Sequence, residues 1–422
     1  MITFLALTAF AWGLAGLRGP ILHKSHLHGT LFCCPGDQFT DFTDFTVRVA
    51  HFGEPSMLSR SDFIPYPYPV PSIYTFLLFN QLPRPLTAYL IFVILSFLTA
   101  TCIFSVHVTR AGHKLLPQIA VWSTLLCGFP LLFLLDRANI EGVIWVLILL
   151  GTVAFTRNRM LASAILLGIA AAMKIFPGLL FVLFLARRKY GIFALAIATT
   201  AAMSVLALAG IGPTIRQAIR DSSRSAPFLM NNYILVRNYP QFDHSVFQAA
   251  KSVIDPYLYT YEKEPEQDRQ AFVRALRLYN ILIPLGAVLL YWFRLRRLPL
   301  LNQFMAYLLL CVLLPYVSGD YTLVHTYLAW GAFLLFLLAD VAPGQVKIPA
   351  RAIYIILFSF AVVFVPLTYL EFGNKAGHVF SFGGQIKTIF LLIILWTVLK
   401  VPMPSSLFGD LQKSLQQVRR AV

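Results

Sequence analysis

Two acids open the chemistry of this chain. Asp41 and Asp44 lie in the stretch Gln38-Phe39-Thr40-Asp41-Phe42-Thr43-Asp44-Phe45-Thr46-Val47-Arg48-Val49-Ala50-His51-Phe52-Gly53-Glu54-Pro55. Phe42, Phe45, Val49 and Phe52 recur at helical spacing and form one apolar stripe of a short helix, which Gly53 and Pro55 end. Asp41 falls at its start, where the helix dipole favours an ionised carboxylate. Asp44 and Arg48 are four apart and suited to neutralise each other. On that spacing Asp41 is the freer acid, at the outer surface, and Asp41 and Asp44 are the two carboxylates this stretch offers. The plain alternative for Asp41 is an N-cap.

Cations come next. Asp136-Arg137-Ala138-Asn139-Ile140-Glu141 packs three ionisable groups into a turn between two apolar runs, a costly arrangement unless they are paired or used. Either Arg137 pairs with Asp136 or Glu141, or its planar fork holds a phosphate. Lys174 stands alone in an Ala- and Ile-rich run, where a lysine must snorkel, pair or bind an anion. Pro177 breaks the helix near it. His325, in Ser318-Gly319-Asp320-Tyr321-Thr322-Leu323-Val324-His325, is a candidate for a phosphate or a sugar hydroxyl, or an ordinary hydrogen-bonded histidine. The alternating prolines of Phe63-Ile64-Pro65-Tyr66-Pro67-Tyr68-Pro69-Val70-Pro71 predict an extended strand. Its tyrosines suit a sugar-stacking wall, an interfacial belt or a stiff linker. Tyr66, Tyr68, Asn139, His244 (in Asp243-His244-Ser245) and Tyr321 are the candidate substrate-binding residues. Arg216, Arg220 and Arg224 give one helix a basic face, met by lipid headgroups or by solvent. Metal-ligand spacings, Walker loops and dinucleotide fingerprints are missing from the sequence, so it names no metal ligands and no cofactor, and gives a nucleotide-sugar or ATP-driven mechanism no support.

The elements that must position these groups are membrane helices. Of 422 residues, 58% are hydrophobic and 12% charged, against roughly 45–50% and 25% in soluble proteins. Mean hydropathy is +0.72. A span needs about 20 apolar residues. Runs of that kind cover 1–17, 86–107, 117–135, 139–156, 190–210, 276–293, 300–316, 325–340, 352–370 and 386–401, the first read as a retained span. Residues 160–187 are either one long crossing or a hairpin. Basic clusters flank them on both sides, so the hairpin, with Lys174 at its tip, fits the positive-inside tendency. Together these predict an all-α integral membrane bundle of about 10–12 transmembrane helices. It forms a single domain over 1–422. A first outer loop, 18–85, carries the acids and short in-plane helices, the latter at 72–82; a second outer loop covers 211–275. Cys102, Cys127 and Cys311 read as core residues, and the adjacent Cys33 and Cys34 as unbridged to each other. The net charge of +16 falls mostly in segments assigned to the cytoplasm, leaving the outer side near balance; nucleic acid is not an expected partner.

The order of these features resembles the GT-C type membrane glycosyltransferases, specifically glycosyltransferase family 87, the polyprenol-phosphate-mannose-dependent mannosyltransferases and their relatives. Four stretches carry the likeness: Asp41-Phe42-x-x-Phe45, Tyr66-Pro67-Tyr68-Pro69, Asp136-Arg137-Ala138-Asn139-Ile140-Glu141, and Gly168-x-Ala170-Ala171-x-x-Lys174-x-x-Pro177. Ala138 stands where the family's turn has glycine, and His325 is displaced from the family's late histidines. The resemblance implies a hexosyltransferase with a polyprenyl-phosphate sugar as co-substrate and a lipid or glycan acceptor. It implies Asp41 as inverting base and Arg137, Lys174 and His325 at the donor phosphate, at the extracytoplasmic face of a plasma membrane. The rival readings are a lipid-linked-sugar flippase or transporter, and a non-catalytic envelope-assembly protein.

Overall fold

The computed structural model describes residues 38–54, 66, 68–110, 121–122, 124, 128–235, 242–254, 266–367, 371–373 and 379–409. The expected first span at 1–17, Cys33, Cys34, Cys127 and most of the first half of the run 117–135 lie outside them. The chain folds as a helical, polytopic membrane protein. Among the described residues, five helical stretches are long and apolar enough to cross a bilayer: Pro85–Val106, Tyr190–Ile211, Arg269–Arg297, Asp320–Val341 and Gly383–Lys400.

Two compact units divide the described residues: one up to Leu98 and from Leu132 to Leu235, the other from Thr99 to Leu131 and from 242 onward. The first contains α1 (Thr40–Val49), α2 (Ile73–Asn80), the start of α3 (Pro85–Arg110) and the end of α4 (Phe129–Arg137). After these come α5 (Glu141–Thr156), α6 (Met160–Met173), the short α7 (Val182–Ala186), α8 (Tyr190–Ile211) and α9 (Ile215–Leu229). The second contains α10 (Val246–Ile254), α11 (Glu266–Phe293), α12 (Leu300–Leu313), α13 (Thr326–Phe336), α14 (Ala350–Val363) and α15 (Gly383–Lys400). A two-stranded antiparallel hairpin, β1 (Glu371–Gly373) with β2 (Val379–Ser381), separates α14 from α15, a small exception to the all-α expectation.

Several apolar runs give helices shorter than a span. Those of 14 to 16 residues, α5, α6, α12 and α14, rise only about 21–24 Å against a hydrocarbon core of about 30 Å. Proline accounts for three of them. Pro177, Pro315 and Pro366 follow the ends of α6, α12 and α14 within four residues. Proline lacks the N–H that would continue the ladder and biases its predecessor away from helix. An apolar run continues past a proline; a helix does not.

The segment after α6 settles the alternatives for 160–187. Lys174 leaves the helix with φ −154° and ψ 127°, and a 3-10 turn over Phe176–Phe181 begins with Pro177 in its first positions. The chain then turns back. The Arg187 guanidinium lies 4.3 Å from the Phe155 ring centroid, the Arg187 Nη1 donates to the Phe155 carbonyl at 3.3 Å, and Phe184 meets Phe155 edge-on. Phe155 ends α5, beside Arg157 and Arg159. The two basic clusters therefore share one end of this unit, with Lys174 at the other. Small residues allow the tight packing: a Cβ on Gly168 would come within 2.7 Å of Thr199 Cβ on α8. At close quarters Thr200 Oγ1 donates to the Gly168 carbonyl at 3.1 Å.

Candidate active site

The first site grows from the turn between α4 and α5. Ala138 sits there in the left-handed region, φ +48°, a conformation that costs a residue with a Cβ about 1–2 kcal/mol. That reversal explains why glycine suits the position. Arg137 Nη2 donates to Asp41 Oδ1 at 2.7 Å, and Asn139 Nδ2 to Asp41 Oδ2 at 2.7 Å. Asn139 is fully buried and has every polar atom of its side chain occupied. Its Nδ2 also donates to the Tyr68 hydroxyl at 2.8 Å, and its Oδ1 accepts the Glu141 backbone N–H at 3.1 Å. Its backbone carbonyl accepts the Tyr89 hydroxyl. Asn139 thus builds the site rather than lining it.

Helix α1 delivers Asp41. Phe42, Phe45 and Val49 are buried as the spacing predicts. Phe42 packs against Phe76 of α2 and Tyr89 of α3 with centroids 5.6 and 5.1 Å apart. Burial of each phenylalanine contributes about 1.5–3 kcal/mol, which fixes α1 against α2 without a side-chain cap. Asp41 is not an N-cap: Phe39 holds that position, in the left-handed region, and the helix has no capping side chain. The Phe39 backbone N–H instead bonds the Asp136 carbonyl at 2.7 Å.

The two acids exchange the roles expected from spacing. Asp44 is exposed and makes no ion pair with Arg48, which is buried on the packed face of α1. Asp41 is the held carboxylate, 18% exposed at its side chain. Partial burial, with the nearby Asp41 charge, pushes the Asp44 carboxyl above its ordinary range, only partly offset by Arg137. The helical i,i+4 spacing was misleading because Arg48 turns into the packed interior.

Lys174 is not alone. Its Nζ pairs with the Glu141 carboxylate, which is fully buried. Neither pairing expected within 136–141 forms the observed contacts: Arg137 reaches Asp41 on α1, and Glu141 reaches Lys174 beyond α6. Two ion pairs thus flank Asn139, joined through its bond to the Glu141 N–H. Of the tyrosines, Tyr68 is half-buried beside Asn139. Tyr66 is buried against Phe45, 5.0 Å between centroids, and donates to Ser72 Oγ, whose own hydroxyl serves the Pro69 carbonyl at 2.6 Å. Burial pushes its phenol well above the ordinary range. Tyr66 is therefore a wall behind the site, not a stacking face.

His244, Tyr321 and His325 belong to the second unit, where a separate polar cluster forms. His244 is fully buried; its Nε2 lies 3.1 Å from Ser318 Oγ and 3.2 Å from Thr322 Oγ1. Its Nδ1 lies 3.5 Å from Asp320 Oδ1. Lys387 Nζ bonds Asp320 Oδ2 at 2.6 Å and stands 4.8 Å from the Phe129 ring. Asp243 Oδ1 accepts the backbone N–H groups of Ser245 and Ser318 at 2.9 and 3.0 Å. Two segments noted separately in the sequence thus meet here. His325 is buried at the end of the 3-10 turn Asp320–His325, and Tyr321 is half-buried. Lys387 and Glu141 were missed as members of these sites. The signal for Lys387 was present: it is a lysine in an apolar run, as Lys174 is.

The pattern of glycosyltransferase family 87 matches residues 66–319, more than half of the chain. No curated protein and no solved structure matches it.

Proposed function

The chain belongs to glycosyltransferase family 87, and from that premise we propose that it moves a hexose, mannose-like, from a polyprenyl-phosphate sugar to a lipid or glycan acceptor with inversion at the anomeric carbon. Asp41 is the general base. The observation that carries this reading is a largely buried but still solvent-reachable carboxylate gripped on both oxygens, by Arg137 and by Asn139. Each carboxylate oxygen keeps a second lone pair, so an acceptor hydroxyl can still donate to one of them. As the acceptor oxygen bonds the anomeric carbon, its proton passes to Asp41. The carbon–oxygen bond to phosphate breaks, and the polyprenyl phosphate departs with the electron pair. That leaving group needs no proton; it needs cations where its charge grows. Lys174 and Arg137 are the cations assigned to it, and each must share itself between its carboxylate and the phosphate.

An extracytoplasmic site in a plasma membrane is part of the proposal. It is supported by the two basic clusters, Arg157 with Arg159 and Arg187 with Arg188 and Lys189, lying at the end of the first unit away from Lys174, as the positive-inside rule expects of a cytoplasmic end.

Purified protein in nanodiscs, offered polyprenyl-phosphate-mannose or polyprenyl-phosphate-glucose, tests the assignment. A general base contributes about 10²–10⁴-fold, so Asp41→Asn should lose at least a hundredfold in transfer, while Asp44→Asn stays within a few-fold of wild type. Full activity in Asp41→Asn would overturn the role of Asp41. Failure of the wild type on both donors would overturn the donor class.

A further inference from the structure

Helix α9 begins three residues after the end of the candidate span α8, separated only by Gly212, Pro213 and Thr214, with Thr214 Oγ1 accepting the Gln217 N–H at 3.2 Å. Its exposed surface is divided. Arg216, Arg220 and Arg224 are exposed and recur every fourth residue, a stripe along one face. Ile215 and Ile219, 42% and 53% exposed, form a second stripe beside it. Ala218 and Asp221 turn the remaining face into the protein. A cavity of about 420 Å³ is lined by Thr214, Arg216, Gln217, Arg220, Asp221 and Arg224. Asp221 approaches Arg224 at 3.6 Å; the side chains of Arg216 and Arg220 make no hydrogen bond or ion pair among the described residues.

We infer that this face is a binding site for the phosphate of an anionic bilayer phospholipid. The isoleucines, adjacent to a span end, enter the acyl boundary, and the arginine stripe beside them meets headgroup phosphates through planar, multidentate donors. Three arginines against one aspartate give the surplus positive charge that an anionic headgroup complements. The site is separate from the Asp41 cluster and does not depend on glycosyl transfer.

The test is lipid retention by the purified full chain, measured by native mass spectrometry from micelles doped with equal phosphatidylglycerol and phosphatidylcholine. Wild type should retain phosphatidylglycerol preferentially. Each arginine near an anionic surface is worth roughly a fivefold change, so R216Q/R220Q/R224Q should lose about a hundredfold of that preference, and the triple lysine variant should keep most of it. Ser223→Glu, a single exposed change beside the stripe, should weaken retention even if the triple glutamine variant folds poorly. Excess inorganic phosphate should leave the adducts in place. Equal retention by wild type and Ser223→Glu, or displacement of phosphatidylglycerol by inorganic phosphate or by equimolar polyprenyl phosphate, would overturn the assignment.

Discussion

At the scale of single residues, Lys174 and Glu141 define how the site responds to change. Glu141 is fully buried and Lys174 largely so. Removing the cation from a buried pair costs about 3–5 kcal/mol, because the carboxylate keeps its charge without its partner. Lys174→Met should therefore melt far below wild type in nanodiscs. Glu141→Gln combined with Lys174→Met should recover most of that stability and still fail in donor use; a stable double variant with normal transfer would remove Lys174 from the phosphate. Sequence named Asp41, Arg137, Asn139 and Lys174 as candidates, and the structure brings them together, but the spacing did not say who holds whom. Asp44–Arg48 looked right on a helical wheel and does not form, since a wheel records angle and not which face packs. The partners of Arg137 and Lys174 come from other elements, at separations that periodicity does not encode.

At the scale of elements, the turn carrying Arg137, Asn139 and Glu141 shows a local rule broken. Ala138 bears a positive φ, and Phe39, before α1, bears another. Replacing Ala138 by glycine removes the Cβ clash at the cost of a freer unfolded chain, for a net gain of roughly 0.5–1 kcal/mol. Thermal melting of Ala138→Gly should show a modest rise with transfer unchanged; a fall in melting temperature would contradict the backbone geometry. The apolar stripe of α1 and the break at Pro177 were legible because helical spacing and a missing N–H act locally. The lengths of α5, α12 and α14 were not, because hydropathy windows read composition across the residues that end a helix.

At the scale of the whole molecule, the membrane class was plain from composition, since too little charge exists to coat a soluble globule of this size. The placement of chain segments follows from packing. With native cysteines removed, single cysteines at Asn158 and Arg188 should both react with a membrane-impermeant maleimide from one side of the bilayer, and one at Ser223 from the opposite side, since α8 lies between Lys189 and α9. Reaction of Asn158→Cys and Arg188→Cys from different sides would contradict the return of the chain at Lys174. The buried Asp320–Lys387 pair and its neighbour His244 join segments far apart in sequence; His244 and the stretch around Asp320 stood out separately, but nothing in the sequence joined them to each other or to Lys387.

That return at Lys174 also governs parity. A segment of its length counted as one traverse would change an even number of crossings to an odd one and carry every later loop to the opposite compartment. Turned back on itself, it leaves the tally unaltered. Within the first unit the result is visible in a single bond: the Tyr74 hydroxyl of α2 reaches the Ala207 carbonyl near the end of α8 at 3.0 Å. The turn at Lys174 and Pro177 therefore leaves the arginine stripe of α9 at the same end of this unit as Asp41.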